Sequence, residues 1–332
     1  MKGVKTPLSK AQEVKEELIK KDLINLKYKP VKEKDFIIFP VKKNSTGFEM
    51  VSLDFEKQKE KIKDLKSSLK EDLTSDELEI LKTSYDTVGS IAILEIDEEL
   101  RNVEKLIGKR LLEVNHNIRT VLRKDDKHEG PYRNQKFKFL AGENTTVTVH
   151  KENGVLIKVD LAEMYYSPRL GNDRLRIAKD VKKGEIILVI GSGCGPYPLV
   201  FSKKSLAHRI VGVDLNPKGY EFALINKELN KAKNVEFILA DGAKYLKNSE
   251  YFNRIVLATP DNSDDFIELA FQKVRKGKIH YNFFSKLAEL DVVEKKLLLI
   301  GVKQGKKIKI TFFRNGHHAP YVYRMSADIE VL

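Results

Sequence analysis

A single cysteine, Cys194, stands in 332 residues, which excludes an internal disulfide framework and suits a reducing compartment. No apolar run is long enough to span a bilayer, and the first residues lack the apolar core of a signal peptide. The expectation is therefore a cytoplasmic protein with no membrane segment. The seven histidines are scattered and Cys-x-x-Cys is absent, so no metal site is expected. Internal repeats are absent too. What the chain has in excess is positive charge: 61 lysines and arginines against 48 acids give +13. That balance suits a polyanionic partner, nucleic acid or a membrane surface, with a soluble lysine-rich protein as the plain alternative. At this length two or three domains are expected, with ample core.

Taken in order, Ser9 and Gln12 fit a capping box, and Ala11, Val14, Leu18 and Ile19 mark one helical face. Strands are expected over Phe36–Val41 and Phe48–Phe55, which makes residues 1–56 a small α+β unit. Residues 57–73 are lysine-rich and read as a linker, mobile or partly helical. Thr74 and Glu77 form a second capping box. Strands at Ile91–Ile96, Ile118–Leu122 and around Phe137 and Phe139 follow, with a helix carrying Val103, Leu106, Ile107 and Leu111. Asn153-Gly154 between Thr145–Val149 and Val155–Leu161 is a two-residue hairpin signal. Residues 74–160 thus read as a second α+β domain with a mostly antiparallel sheet.

From residue 161 to 332 strands alternate with helices, at 186–190, 210–213, 235–239, 254–257 and 278–281, which implies a parallel sheet covered by helices. Later runs, Leu297–Val302, Ile308–Phe313 and Tyr321–Leu332, are also read as strands. The segment 184–217 organises this region. Its apolar strand ends in Gly191-Ser192-Gly193-Cys194-Gly195-Pro196, and the next β-branched run ends on Asp214. Glycines there let the backbone turn and approach a ligand, Pro196 fits the first turn of a helix, and Asp214 is placed to accept from ribose hydroxyls. The spacing is Gly-x-Gly-x-Gly rather than the Gly-x-Gly-x-x-Gly that cradles a pyrophosphate, which disfavours a nicotinamide oxidoreductase. A cofactor without phosphates, such as S-adenosylmethionine, needs only backbone room and a few acceptors. A tight turn with no ligand is the alternative. Asp241, ending the next strand, is equally a ligand or a helix cap, and Ala258-Thr259-Pro260-Asp261 ends the fourth.

Two stretches outside the sheet carry further chemistry. Glu129-Gly130-Pro131-Tyr132-Arg133 and Tyr165-Tyr166-Ser167-Pro168-Arg169-Leu170-Gly171-Asn172-Asp173-Arg174 offer arginines for phosphate or base oxygens, tyrosines to stack on unpaired bases and a carboxylate to take a proton. A surface loop and a hinge are the plain structural alternative.

With these residues in place, the chain resembles the archaeal and eukaryotic tRNA (guanine-N1)-methyltransferases that act on guanosine 37, beside the anticodon. The resemblance is strongest across 150–160, Ser167-Pro168-Arg169-Leu170-Gly171 and Ile279-His280-Tyr281. The stretches 195–200, Thr259-Pro260 and 321–332 are similar to the archaeal "a" branch, some members of which also methylate carbon 7 of a tricyclic wyosine precursor. It implies an α/β fold, a class I Rossmann-like methyltransferase domain (161–332) preceded by two smaller α+β domains. The first of these, 1–56, would read the outer corner of tRNA; 74–160 and the catalytic domain would grip the anticodon arm, with the chain acting as a monomer. The cofactor implied is S-adenosylmethionine, held by Gly191, Gly193, Gly195, Tyr197, Asp214, Asp241, Thr259 and Pro260.

By position, the resemblance puts the arginine that steadies the guanine oxygen on Arg133, the pocket tyrosine on Tyr165 and the general base on Asp173, with Tyr132, Arg169 and Arg174 as RNA contacts. Three departures stand out: aspartate where relatives have glutamate at 173, Gly191-Ser192-Gly193 where relatives have Phe-Ala-Gly, and Asp261 where relatives have lysine. The rival reading that these departures keep open is a tRNA-binding protein of the same fold without methyl transfer, or one redirected to another substrate.

Overall fold

The computed structural model describes residues 1–44, 47–57, 64–125 and 135–332, in two compact units, Met1–Ser67 and Ser68–Leu332. In the first, β1 (Lys2–Pro7), α1 (Ala11–Lys20), β2 (Val31–Lys32), β3 (Phe36–Pro40) and β4 (Glu49–Ser52) build a four-stranded antiparallel sheet in the order β2-β3-β1-β4. Val4, Leu18, Phe39 and Val41 form its core, so the apolar face read from the sequence does turn inward at Leu18. The capping box expected at Ser9 is not made. A 3-10 turn over Leu8–Lys10 feeds the helix, no side chain caps it, and the Gln12 amide instead donates to Glu16.

The stretch read as a linker is partly packed. It contains α2 (Leu65–Ser68), and Leu65, Leu69 and Leu73 are all buried, at a four-residue spacing that the surrounding lysines obscure. Helix α3 (Ser75–Ile80) opens on the expected capping box: Thr74 accepts from the Glu77 N–H, and the Glu77 carboxylate accepts from the Thr74 N–H at 2.9 Å.

Strands β5 (Asp86–Val88) and β6 (Ile91–Leu94), helix α4 (Glu104–Val114), and strands β7 (Thr120–Lys124) and β8 (Phe137–Gly142) follow. The sheet order is β5-β6-β7-β8. The β6–β7 pair is parallel and the two outer pairs antiparallel, because α4 provides the crossover a parallel pair requires.

The hairpin β9 (Val147–Glu152) and β10 (Val155–Asp160) turns through Asn153 and Gly154, both at positive φ (49° and 83°), the pairing a type I′ turn demands. It is a separate two-stranded sheet. Val155, Ile157 and Val159 share one core with Ile187, Val189, Phe201 and Val256. This hairpin, grouped from the sequence with 74–160, therefore packs against the sheet that follows.

That sheet contains β11 (Ile186–Ile190), β12 (Arg209–Asp214), β13 (Val235–Leu239), β14 (Phe252–Leu257), β15 (Val274–Ser285), β16 (Ile308–Ala319) and β17 (Val322–Val331). They are interleaved with α5 (Gly171–Asp180) ahead of β11, then α6 (Pro196–Lys204), α7 (Pro217–Asn230), α8 (Gly242–Asn248), α9 (Asp264–Lys273) and α10 (Leu290–Lys303). The order is β13-β12-β11-β14-β15-β17-β16, parallel through β15, with β17 antiparallel to both neighbours. The strand order reverses at β11, between β12 and β14, and the crevice outside the carboxyl ends there is where such sheets bind ligands.

One expected strand is a helix. Leu297–Val302 lies in α10, where Leu297, Ile300 and Gly301 are buried while Leu298, Leu299 and Val302 are exposed, a helical and not an alternating pattern. A six-residue apolar run does not by itself distinguish the two.

Candidate active site

The loop after β11 turns through Gly191, Gly193 and Gly195, all at positive φ (75°, 53° and 89°). A Cβ on Gly191 would sit 2.2 Å from Thr259 Cγ2, so no side chain fits where this loop meets the end of β14. At Gly193 the nearest atom to such a Cβ is the Tyr165 carbonyl oxygen at 3.8 Å, so this residue borders open space. Asp214 Oδ2 accepts from the Gly193 N–H at 2.6 Å, and Oδ1 accepts from the Asn216 N–H at 2.8 Å. Burial pushes the Asp214 carboxyl up, against the opposing pull of the N–H groups of Asn216, Gly193 and Leu215. With three N–H groups on it, the carboxylate retains a lone pair for a hydroxyl donor. On α7, Asn226 donates to the Cys194 carbonyl at 3.0 Å and also brackets Lys158 of β10, accepting from its N–H at 2.7 Å and donating to its C=O at 2.8 Å. Asn230 does the same for Leu156. These amides stand in for a partner strand along β10 and pin the hairpin and the glycine loop to one helix.

Pro196 begins α6 at its first turn, as its fixed φ favours. Asp241 is the N-cap of α8, its Oδ1 accepting from the Lys244 N–H at 2.8 Å, which settles the helix-cap half of the expectation. Thr259 Oγ1 is buried with no hydrogen-bond partner among the described residues. A buried orphan hydroxyl, a glycine loop and an acid at the end of the next strand are the polar groups a nucleoside-type cofactor site needs. S-Adenosylmethionine fits it: backbone room at Gly193, acceptors at Asp214 and Thr259, and no phosphate to place. Tyr197, in contrast, is 3% exposed, and its hydroxyl donates to Asp173 at 2.9 Å. Its hydroxyl is thus committed to the neighbouring acid.

The other side of the crevice is built from 161–176 and the ends of β15 and β17. Asp173 is buried; its Oδ1 accepts from Arg176 at 2.8 Å and its Oδ2 from Tyr197. Arg176 also donates to Asp328 at 2.6 Å. Asp328 takes the Nδ1 side of His280 at 2.7 Å, and Arg254 lies 2.6 Å from Nε2. Nδ1 therefore carries the proton and His280 is neutral, in keeping with a pKa that burial lowers. Burial alone would raise Asp328, but hydrogen bonds from His280 and Arg176 outweigh it and hold that carboxyl well below the usual range. Tyr165 accepts at its hydroxyl from Arg324 at 2.9 Å. Asn282 Oδ1, Ser326 Oγ and Arg324 Nε are buried without partners among the described residues, all on the β15–β17 pair.

Arg169 is exposed and pairs with Asp86 at 2.9 Å. Arg174 does not meet its expectation as an RNA contact. It is 1% exposed, grips Glu152 with two nitrogens (Nε to Oε1 at 2.7 Å) and donates to the Ser167 carbonyl at 3.0 Å, so it ties the loop to the hairpin from inside. Tyr132 and Arg133 lie outside the described residues. Sequence reasoning missed Glu152, Arg176, Asn282, Arg324 and Asp328. A polar amide inside the apolar run Ile279–Phe284 was the one local signal.

Away from the crevice, a groove of about 620 Å³ is lined by His116, Asn117, Arg119, His150 and Lys151 with no carboxylate among its lining residues. No metal-competent cluster and no helix long and apolar enough to cross a membrane occur among the described residues.

Residues 148–308 match the TRM5/TYW2 methyltransferase domain, 65–145 the TYW2 N-terminal domain, and 3–49 the tRNA methyltransferase 5 N-terminal domain. The chain is 33% identical over 338 residues to the tRNA (guanine(37)-N(1))-methyltransferase Trm5b of Pyrococcus abyssi, covering 99% of this chain and 98% of that protein. It is 34% identical over 189 residues to the tRNA (guanine(37)-N(1))/4-demethylwyosine(37)-methyltransferase Taw22 of Nanoarchaeum equitans, covering 54% and 62%. Among solved structures, the complex of aTrm5 with tRNALeu is similar over 99% of both chains, with a TM-score of 0.85 and 27% identity.

Proposed function

Because this chain belongs to the tRNA (guanine(37)-N(1))-methyltransferase family, we propose that its carboxyl-edge crevice methylates N1 of guanosine 37 in tRNA with the residues assigned here. The cofactor is S-adenosylmethionine. Gly191, Gly193, Gly195, Asp214, Asp241, Thr259 and Pro260 are the residues proposed to hold it. When bound, it supplies an electrophilic methyl on a sulfonium.

Guanine N1 carries a proton and is a weak nucleophile until that proton leaves. Asp173 is proposed to accept it, and Arg133 to stabilise the charge that grows on O6. The observation that carries this reading is the enclosed carboxylate of Asp173, on the helix that follows the Tyr165 loop, with Tyr165 within one carbonyl of the glycine loop's open face. The Asp173 side chain is 1% exposed, so a guanine edge meets it only after local opening and after the nucleotide leaves its stack. Tyr165, Tyr132 and Arg169 are proposed to line that path. The groove with Arg119 and Lys151 offers phosphodiester contacts, and residues 1–56 the outer-corner contact, with the protein acting as a cytoplasmic monomer. Carbon-7 methylation of the wyosine precursor is a second proposed activity, motivated by the dual-function relative.

Single-turnover transfer to an unmodified tRNA transcript with G at position 37 tests the base. Asp173→Asn should lower the rate by about 10²–10⁴-fold, with tRNA affinity kept. Full rate in that variant at every pH would remove Asp173 from the role. Supplying tRNA that carries the wyosine precursor, with nucleoside analysis of the product, tests the second activity.

A further inference from the structure

The hydrogen-bond sense around Asp173 is fixed by chemistry. An ionised carboxylate only accepts, so Tyr197 Oη, 2.9 Å from Oδ2, is the donor. The phenol oxygen then needs a donor of its own, and Asn282 Nδ2 lies 3.3 Å away. This fixes which end of the amide faces Tyr197 and leaves Asn282 Oδ1 as the buried acceptor without a partner among the described residues. Tyr197 packs its ring edge-on against Phe201, 5.8 Å between centroids, a contact that a phenylalanine would make equally well. The hydroxyl is thus surplus to packing, and burying one is costly unless it is paired.

We propose that Tyr197 is a positioning residue for the base: its hydroxyl, oriented by Asn282, aims the Asp173 carboxylate. The inference rests on the reading of Asp173 as the base. Burial, followed by the charge on Asp173, pushes the Tyr197 phenol well above its ordinary value, so it stays a donor throughout the working range.

The other groups facing Asp173 do not replace it. Arg176, on the same helix, is shared with Asp328 of β17, whose charge offsets it, and Asp328 in turn holds neutral His280 of β15. Arg174 lies 5.5 Å from the centre of the Tyr197 ring but is committed to Glu152. From β15 itself, Asn282 contributes no charge. Arg176 holds Oδ1 and Tyr197 holds Oδ2, so the phenol fixes the direction of the second oxygen.

The test is single-turnover methyl transfer to a G37 transcript, with the rate of the chemical step and the KM for tRNA read separately, for the wild type, Tyr197→Phe and Asn282→Leu. A misaimed base slows the chemical step and not binding, so Tyr197→Phe should lower the single-turnover rate by about 10-fold. The KM for tRNA and the affinity for S-adenosylmethionine should be unchanged. Asn282→Leu, which frees the phenol to turn, should lower the rate the same way by less. An unchanged rate in Tyr197→Phe, or a rate loss matched by weaker binding of tRNA or S-adenosylmethionine, would mean a structural role and overturn the proposal. Asp173→Asn run alongside separates the two readings: if it matches the wild type at every pH, the base assignment has failed, and the positioning role falls with it.

Discussion

Arg174 lies between the rings of Tyr166 and Tyr197, 5.6 and 5.5 Å from their centres, with its charge matched to Glu152 and no access to solvent. Glu152 also accepts from the Tyr166 hydroxyl at 3.1 Å. Removing one partner of a buried pair leaves an uncompensated charge, which costs about 3–5 kcal/mol. Glu152→Gln should therefore lower unfolding free energy by that order in denaturant titration, and a loss near zero would mean that water reaches Arg174 without it. In the sequence this arginine sits beside Asp173 in a polar, loop-like stretch and reads as surface. What buries it is a carboxylate 22 residues earlier in the chain, a pairing that adjacency does not show. The place of Asp214 at the end of β12 was legible because its signal is local: a β-branched run ending on an acid. Tyr197 was legible as part of the glycine loop but not in its direction, which is set by Asp173 and Asn282 together.

At the scale of elements, β15 and β17 are joined by more than their ladder. His280 pairs in register with Asp328, and its ring is held between that carboxylate and Arg254. His280 has a folded pKa below its unfolded value. The unfolded chain therefore binds more protons as pH falls through about 6.5, and stability drops there. Asp328 is depressed too, so its contribution is present above the unfolded value of about 3.9 and is lost as pH falls toward the folded one. Denaturation midpoints should decline in two stages on acidification, and His280→Asn should shrink the first, leaving the part that His150, also lowered by burial, contributes. A wild-type midpoint flat between about pH 7 and about pH 5 would contradict this account.

The parallel strands were legible because two-sided burial writes continuous apolar runs, and the β9–β10 turn because Asn-Gly permits positive φ twice in succession. Helix α10 was not, since six apolar residues fit either period. The place of the hairpin was not either, since the asparagines of α7 that hold its edge lie some 70 residues downstream.

At the scale of the molecule, each unit has its own sheet and core, and the whole chain carries +13. That charge, with the carboxylate-free groove at Arg119 and Lys151, predicts that tRNA binding is dominated by phosphate neutralisation. Log affinity should fall linearly with log salt, by about 10³-fold or more between roughly 50 and 200 mM if six or more phosphates are engaged. Filter binding at several salt concentrations checks this, and a shallow slope would shift the weight to base contacts. Composition alone made a polyanion partner legible. Which polyanion, and which nucleotide, came from the motifs that resemble the tRNA methyltransferases and from the similarity to known relatives along the chain.

The central claim is methyl transfer to one nucleotide, and one measurement addresses it most directly. Labelled S-adenosylmethionine is offered to two unmodified tRNA transcripts that differ only in carrying G or A at position 37, and the labelled nucleoside is identified. The account predicts 1-methylguanosine from the G transcript and nothing from the other. Equal labelling of both, or tRNA bound with no label transferred to either, would contradict it.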